Sequence, residues 1–240
     1  MQGQSADAEG RSPIIHHPDV KRMLHTMRAL TEGGRAMSFF TIAAEDRSKH
    51  RPFGHEDSFD LQIVEVMTPL VKGWCTEASM EITSLGVQVH GGMGFVEETG
   101  AAQYMRDARI LPIYEGTNGI QALDFVGRKS LRDGGEALSK LINEMRLDCQ
   151  KYFEMGGDLG RLLELLTKTI SQCEQALDHL LSSPEKASYV AFNQMMLFGN
   201  SVAYWLLTKL AFSALTQINN GSSERSVSYT HLRAHETSQN

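Results

Sequence analysis

The sequence has few of the residues that mark turn-rich or disulfide-linked proteins. It contains six prolines in 240 residues, and its three cysteines, Cys75, Cys149 and Cys173, form no CxxC pair. An odd number of dispersed cysteines predicts neither a disulfide framework nor a zinc site. Long apolar runs and a secretory signal pattern are also missing, so we expect no membrane span and take the cytoplasm as the default compartment.

Basic charge is also scarce. The chain has 23 lysines and arginines against 29 acidic residues, which gives a formal net charge of -6. A surface that binds nucleic acid or anionic lipid needs an excess of base, so neither partner is expected. Hydrophobic residues make up 41% and charged residues 22% of the sequence. This balance is typical of a globular protein with a core large enough to fold without cross-links.

Apolar residues recur at three- and four-residue steps along most of the chain, which is the period of an amphipathic helix. The predicted helices cover residues 18–49, 58–85, 97–108, 118–129, 138–153, 159–181 and 189–215. The first two are expected to form an antiparallel hairpin through a turn at residues 51–54. Gly33 and Gly34 in the first helix predict close approach of a neighbouring helix, because glycine otherwise weakens a helix interior. No segment alternates as a strand does, so the sequence predicts an all-α fold in two bundles.

The two ends of the sequence do not share this periodicity. Residues 1–12 are polar and glycine-bearing, and residues 221–240 contain the string VSYTHLRAHET. That string resembles the translation of an adapter used in sequencing libraries. We therefore expect a ragged, truncated start and a non-native tail. His231 and His235 have the i, i+4 spacing of metal ligands, but as part of this tail they predict no metal site.

The residues suited to chemistry are concentrated between positions 86 and 121. The glycines of QVHGGMGF precede a helix, where backbone amides can approach an anion closely. They are not a dinucleotide fingerprint, because Glu97 occupies the third glycine position of that motif. Glu97 and Glu98 are adjacent in a first helical turn, where they suit the helix dipole better than a catalytic pair.

Glu115 is the strongest candidate for acid–base chemistry. It lies in the apolar connector 111–116, and the next helix is predicted to begin at Thr117 or Asn118, with Asn118 and Gln121 as a capping-box-like pair. Apolar neighbours would desolvate the carboxylate and raise its pKa, which suits a general base near neutral pH. The helix dipole acts in the opposite direction by favouring the anion. From these residues alone, Glu115 is interpreted equally well as a general base or as a structural capping residue.

The joined motifs QVHGGMGF and RDARILPIYEGTNGIQ, at this separation, are specific. They resemble the C-terminal helical domain of the acyl-CoA dehydrogenases, and within that family a long bacterial subgroup. The likeness is close over residues 14–129 and looser over 138–215, which is similar to a helical region appended in that subgroup. The resemblance implies the family's C-terminal four-helix bundle at 13–130 and a truncated additional helical domain at 131–220.

The resemblance implies an FAD enzyme that oxidises an acyl-CoA to the trans-2-enoyl-CoA. Glu115 would remove the α-proton while hydride passes from the β-carbon to the flavin. The residues implied to contact FAD are Thr117, Asn118 and Gly119, and those implied to contact the FAD of the neighbouring subunit are Gln88, Gly91 and Gly92. Tyr114 and Gly116 are implied to line the substrate thioester. Many relatives have glutamine where Gly119 stands, so its contact is expected from the backbone.

The resemblance further implies electron transfer flavoprotein as the electron acceptor and a homodimer or homotetramer. Family members carry two domains ahead of this region that this sequence lacks. We therefore expect a fragment of the enzyme, inactive or nearly so, that binds FAD poorly and exposes an apolar patch. The sequence does not decide whether the substrate is an ordinary fatty acyl-CoA or a thioether acyl-CoA.

A second hypothesis is a non-catalytic helical oligomerisation or interaction module derived from the same family. Retention of Glu115 within its full motif weighs against this hypothesis, because a scaffold needs no carboxylate in an apolar connector.

Overall fold

The computed structural model describes residues 12–50, 58–155 and 159–219 of the chain. Residues 1–11 of the expected ragged start, the predicted turn at 51–54 and the tail at 221–240 therefore lie outside the described residues. The three expectations stay predictions.

The described residues form eight α-helices and contain no strand, which confirms the all-α prediction. The helices are α1 (Pro18–Lys49), α2 (Ser58–His90), α3 (Gly92–Phe95), α4 (Ala101–Arg109), α5 (Asn118–Val126), α6 (Glu136–Met155), α7 (Gly160–Ser182) and α8 (Ala187–Asn219). Short 3₁₀ turns lie at Ile14–His16, Glu97–Thr99 and Pro184–Lys186, and a π turn at Gly127–Leu131 extends α5.

Two of the predicted boundaries that differ from the structure lie between residues 85 and 108, and glycine geometry explains both. Helix α2 continues to His90, so residues 86–90 are helical rather than irregular. It ends at Gly91, whose φ of 62° favours glycine strongly. The helix predicted at 97–108 is interrupted by Gly100 at φ 76°, which separates a 3₁₀ turn from α4.

Helices α1 and α2 pack as an antiparallel pair. Near the ends of the pair, Arg47 Nη2 donates to Asp60 Oδ1 at 2.9 Å, and Asp60 is buried. Further along, a Cβ on Gly34 would lie 3.2 Å from Cys75 Sγ. Residue numbers rise along one helix as they fall along the other, which confirms the antiparallel packing. The tight contact at Gly34 also confirms the predicted close approach.

One buried apolar core runs through residues on both sides of the predicted domain boundary at 130. It includes Trp74 of α2, Phe125 of α5, Leu166 of α7 and Phe198 of α8. Helix α8 has buried residues along most of its length, because α1, α2, α5, α6 and α7 all pack against it. The continuous core links the two predicted parts, and the domain boundaries themselves stay a prediction.

Two absences apply to the described ranges. None of their helices is both long and apolar enough to cross a membrane. Nor do these ranges contain a group of three or more His, Cys, Asp or Glu side chains that could hold a metal ion.

Candidate active site

The turn between α4 and α5 carries the predicted base. Backbone hydrogen bonds close it, since the Ile113 and Tyr114 amides donate to the Ile110 carbonyl at 2.9 and 3.1 Å. The Asn118 amide donates to the Pro112 carbonyl at 3.0 Å. These backbone hydrogen bonds close the turn on itself.

Glu115 has an uncommon backbone conformation. Its φ is 53°, the one positive φ of a non-glycine residue in the described ranges, and Gly116 follows at 89°. The left-handed region costs a non-glycine residue roughly 1–3 kcal/mol and persists where surrounding contacts determine it. The Glu115 side chain is exposed. The turn therefore presents a carboxylate outward at the expense of local backbone strain.

Helix α2 supplies the contacts that hold this turn. Lys72 Nζ donates to the Gly116 carbonyl and to Asn118 Oδ1, both at 2.8 Å. Asn118 is only 4% exposed, and its Nδ2 donates to Glu77 Oε1 at 2.8 Å and Thr76 Oγ1 at 2.9 Å. These bonds tie the end of the turn to the middle of α2.

Burial and nearby carboxylates have opposite effects on the pKa of Lys72. Partial burial lowers the pKa of Lys72 below its ordinary value. The negative charges of Glu115 and Glu77 oppose this effect, because they favour the protonated lysine. Lys72 is therefore within electrostatic range of the predicted base, and no feature of the sequence motif identified it.

The predicted capping pair at the start of α5 is wrong. The N-cap is Thr117, whose Oγ1 accepts a hydrogen bond from the Ile120 amide at 3.3 Å. Asn118 lies inside the helix and faces α2, where its amide finds buried partners. Gln121 Nε2 instead contacts the Glu115 carbonyl at 3.5 Å, the limit of hydrogen-bond distance.

The expected apolar enclosure of Glu115 is also absent from the described residues. Ile110, Ile113 and Tyr114 are themselves about half exposed, at 51%, 45% and 46%. Their side chains lie at the surface together with Glu115, so they do not bury the carboxylate. Desolvation of Glu115 therefore requires a covering group outside the described residues.

The predicted glycine segment lies at the C-terminal end of α2. Gln88, Gly91 and Gly92 are exposed there, and the Gly91 amide donates to the Gln88 carbonyl at 3.0 Å. A Cβ on Gly94 would lie 2.4 Å from the Val87 carbonyl oxygen, so this buried glycine permits the tight return of the chain. The GMG letters indicated such a turn, but Gly94 was not among the predicted site residues.

The predicted site residues fall into two separate groups. The first group lies in or directly after the turn that carries Glu115, and Lys72 contacts this stretch. Its members are Tyr114, Gly116, Thr117, Asn118 and Gly119. Gln88 follows Lys72 by sixteen residues along α2, which corresponds to roughly 24 Å at the rise of an α-helix. The glycine segment and the contact point of the Glu115 turn therefore lie at different positions along α2.

An open groove lies beside the glycine segment, between α2, α3 and α4. Its volume is about 690 Å³, and its walls include Met80, Val87, Phe95 and Met105. Phe95 is 81% exposed. Exposed apolar side chains, as expected from the resemblance, are thus found in this groove next to the glycine segment.

Comparison with known proteins places these features in a family. The family described as "Acyl-CoA dehydrogenase, C-terminal domain" matches residues 4–131. The chain is 44% identical over 226 residues to 3-methylmercaptopropionyl-CoA dehydrogenase of Ruegeria pomeroyi, covering 92% of this chain and 38% of that protein. It is 32% identical over 226 residues to broad-specificity linear acyl-CoA dehydrogenase FadE5 of Mycobacterium tuberculosis, covering 88% of this chain and 36% of that protein.

Structural comparison agrees at the level of the fold. The crystal structure of an acyl-CoA dehydrogenase from Bacillus anthracis, complexed with FAD, superposes with a TM-score of 0.67 at 21% identity. The match covers 96% of this chain and 40% of that one. The chain thus spans less than two fifths of the length of the two curated relatives. On its sequence match and its fold, the chain belongs to the acyl-CoA dehydrogenase family, whose C-terminal domain matches residues 4–131.

Proposed function

We propose that the chain is the C-terminal part of an FAD-dependent acyl-CoA dehydrogenase in which Glu115 is the catalytic base. The enzyme converts an acyl-CoA to the trans-2-enoyl-CoA. The observation that carries the proposal is the strained backbone at Glu115, in a turn that α2 contacts directly after that residue. Strain of this kind is typical of functional sites.

Glu115 accepts the proton from the α-carbon of the thioester. Bound FAD would supply the acceptor for the hydride of the β-carbon, so that, with the proton taken by Glu115, both hydrogens would leave and the double bond would form. A carboxylate base works best when water is excluded. The exposed side chains of Ile110, Ile113 and Tyr114 offer an apolar face to the acyl chain and to a covering domain.

The residues expected to hold FAD fit that role unequally. Thr117 and Gly119 are exposed at the start of α5, where a helix N-terminus favours a phosphate. Gln88, Gly91 and Gly92 are likewise exposed. Asn118 fits less well, because its side chain is buried and bonded to α2 and its amide donates to the Pro112 carbonyl.

We propose that the active form is a homodimer or homotetramer in which FAD lies between subunits. The separation of roughly 24 Å between Lys72 and Gln88 along α2 supports this, because one chain's two groups then serve two different cofactors. Electron transfer flavoprotein is the proposed electron acceptor, and the cytoplasm the proposed compartment.

The substrate class is an acyl-CoA. The name of the Ruegeria relative favours 3-methylmercaptopropionyl-CoA, a thioether acyl-CoA, whereas the name of the Mycobacterium relative favours linear acyl-CoAs. Both candidate substrates contain the CoA thioester and differ in the acyl chain. The pocket that receives the acyl chain would therefore decide between them.

The alternative is a non-catalytic helical oligomerisation or interaction module derived from the same family. One observation favours it, namely that Glu115 is open to solvent in the described residues. The two readings differ in whether an acyl-CoA reacts when the domains that precede this region in the family are present.

A chimera tests this difference. The segment of the Ruegeria enzyme that matches this chain is replaced by residues 12–219, and the purified protein is mixed with 3-methylmercaptopropionyl-CoA or a linear acyl-CoA. We expect the flavin absorbance to fall on addition of at least one of them, as in the unmodified enzyme. A chimera that folds and holds FAD but is reduced by neither acyl-CoA would favour the interaction module.

A further inference from the structure

We propose that Lys72 is a positioning residue for the predicted base, because its ammonium group fixes the turn from which Glu115 is presented. The catalytic part of this inference rests on the proposed function. The structural part, that Lys72 holds the turn, stands independently of it.

The two hydrogen bonds of Lys72 bracket the end of the turn. Its Nζ lies 2.8 Å from the carbonyl oxygen of Gly116, the residue directly after Glu115, and 2.8 Å from Asn118 Oδ1. Both bonds are charge-assisted, which makes them stronger than bonds between neutral groups. One side chain therefore restrains two points of the chain immediately after the base.

The base needs such restraint because its backbone is strained. Glu115 has a φ of 53°, and a residue leaves the left-handed region when nothing holds it there. The backbone bonds of the turn are between neutral groups, and the Gln121 contact to the Glu115 carbonyl is long at 3.5 Å. The Glu77 carboxylate of α2 bonds the Asn118 side chain, and Lys72 of the same helix supplies the charged contact to the Gly116 carbonyl, directly after the base.

The surroundings of Lys72 also fix the position of its own head group. Asn118 is buried, and its amide is bonded to Thr76 and Glu77, one turn further along α2. Lys72 is half-buried rather than extended into solvent. The ammonium therefore has a defined place, as a positioning role requires.

Hydrogen–deuterium exchange of the full 240-residue chain tests the structural part. Lys72→Met removes the charge and both bonds, Lys72→Arg keeps a cation that can donate, and Lys140→Met is the control. Lys140 is similarly buried and bonds Gln62 and Glu136, far from the turn in sequence. Exchange over residues 110–118 is compared with exchange over α7, which reports global unfolding.

We expect Lys72→Met to speed exchange of the turn by about tenfold or more relative to α7, as loss of a hydrogen bond to a charged group implies. Lys72→Arg should restore most of the protection, and Lys140→Met should leave it unchanged. Unchanged exchange in Lys72→Met overturns the inference. If that variant unfolds globally, Lys72→Gln replaces it, and equal exchange in Lys72→Gln and Lys72→Arg overturns the inference.

The catalytic part is tested in the chimera described above. Lys72→Met should lower kcat by about tenfold to a hundredfold, since small displacements of a reacting group have effects of this size. FAD content and KM should change little, and Lys72→Arg should recover most of the rate. A loosened turn with unchanged kcat would overturn the positioning role and leave the proposed function intact. A parent chimera without activity would count against the proposed function, and the exchange experiment would still decide whether Lys72 holds the turn.

Discussion

At the residue scale, Trp74 is the side chain on which α1, α2 and α8 meet. It is 2% exposed, and its Nε1 donates to Asn200 Oδ1 at 2.7 Å. A Cβ on Gly33 would lie 3.4 Å from its ring, and one on Gly199 only 2.5 Å. The indole therefore fits between two helices because both present a glycine to it.

Replacing Gly199 tests this packing. We expect Gly199→Ala to lower the free energy of unfolding by about 1–3 kcal/mol, because the new methyl overlaps the Trp74 ring and forces it to move. Gly86→Ala is the matched control. A Cβ there meets open space in the same helix as Trp74, so it should raise stability by up to about 1 kcal/mol. Equal urea midpoints for the two variants would contradict the packing described here.

Glu115 could be selected from the sequence, whereas its conformation could not. Its motif and apolar connector are local features that single it out as a carboxylate with a possible catalytic role. Its φ of 53° occurs in a turn that Lys72 contacts at Gly116, from 44 positions earlier in the chain. A contact at that separation leaves no local pattern, so the sequence missed Lys72 and assigned Asn118 to a cap.

At the element scale, α6 and α8 are joined by a buried polar contact as well as by apolar packing. Trp205 of α8 is 1% exposed, and its Nε1 donates to Asp148 Oδ2 of α6 at 2.9 Å. Lys209 Nζ reaches the same oxygen at 2.8 Å. Further along, Tyr152 lies one turn after Asp148 in α6 and Phe212 about two turns after Trp205 in α8, and their rings stack with centroids 4.3 Å apart. The Asp148 carboxylate thus adds a polar contact beside the aromatic stack between α6 and α8.

Asp148→Ala should destabilise this interface by about 1–3 kcal/mol, because it leaves the Trp205 indole N–H buried without its acceptor. Asp148→Asn keeps a carbonyl oxygen at the same place and should cost less. Thermal unfolding followed by circular dichroism measures both. A loss in Asp148→Asn as large as in Asp148→Ala would assign the effect to the charge near Lys209 rather than to the indole bond.

The helices were easier to predict than their ends. Periodicity identified α1 with its observed bounds, Pro18–Lys49, because proline suits a first helical turn. It placed the end of α2 five residues early, because Gly86 resembles a helix break although the helix passes through it. The helical segments actually stop at Gly91 and Gly100, which have positive φ values. The sequence does not show which glycines adopt a positive φ, so these two could not be told apart from the others.

At the scale of the whole molecule, exposed apolar side chains are concentrated near the proposed site. Phe95 and Met105 line the α2–α3–α4 groove at 81% and 36% exposure, and Met93 of α3 and Tyr104 of α4 are 61% and 72% exposed. Ile113 and Tyr114 add to them beside Glu115. Surfaces of this kind are typical of regions covered by another chain or domain. The sequence predicted such a surface from the resemblance, but its position required the folded arrangement of α3 and α4.

The division of the site residues is also a property of the whole fold. Sequence motifs placed Gln88 and Glu115 within 27 positions of each other. The helical rise of α2 separates Gln88 by roughly 24 Å from Lys72, which contacts the Glu115 turn. Nearness in sequence therefore does not indicate that the two groups contact the same part of α2.

The most direct test of the central claim, that Glu115 is the base, is flavin reduction by acyl-CoA in the chimera with Glu115→Gln. We expect the variant to keep its bound FAD and to lose about a hundredfold to ten-thousandfold in rate, the contribution of a general base. Glu98→Gln, which changes another exposed glutamate outside the turn, should react as the parent does. A Glu115→Gln chimera that still reduces its flavin at a substantial fraction of the parent rate would contradict the assignment.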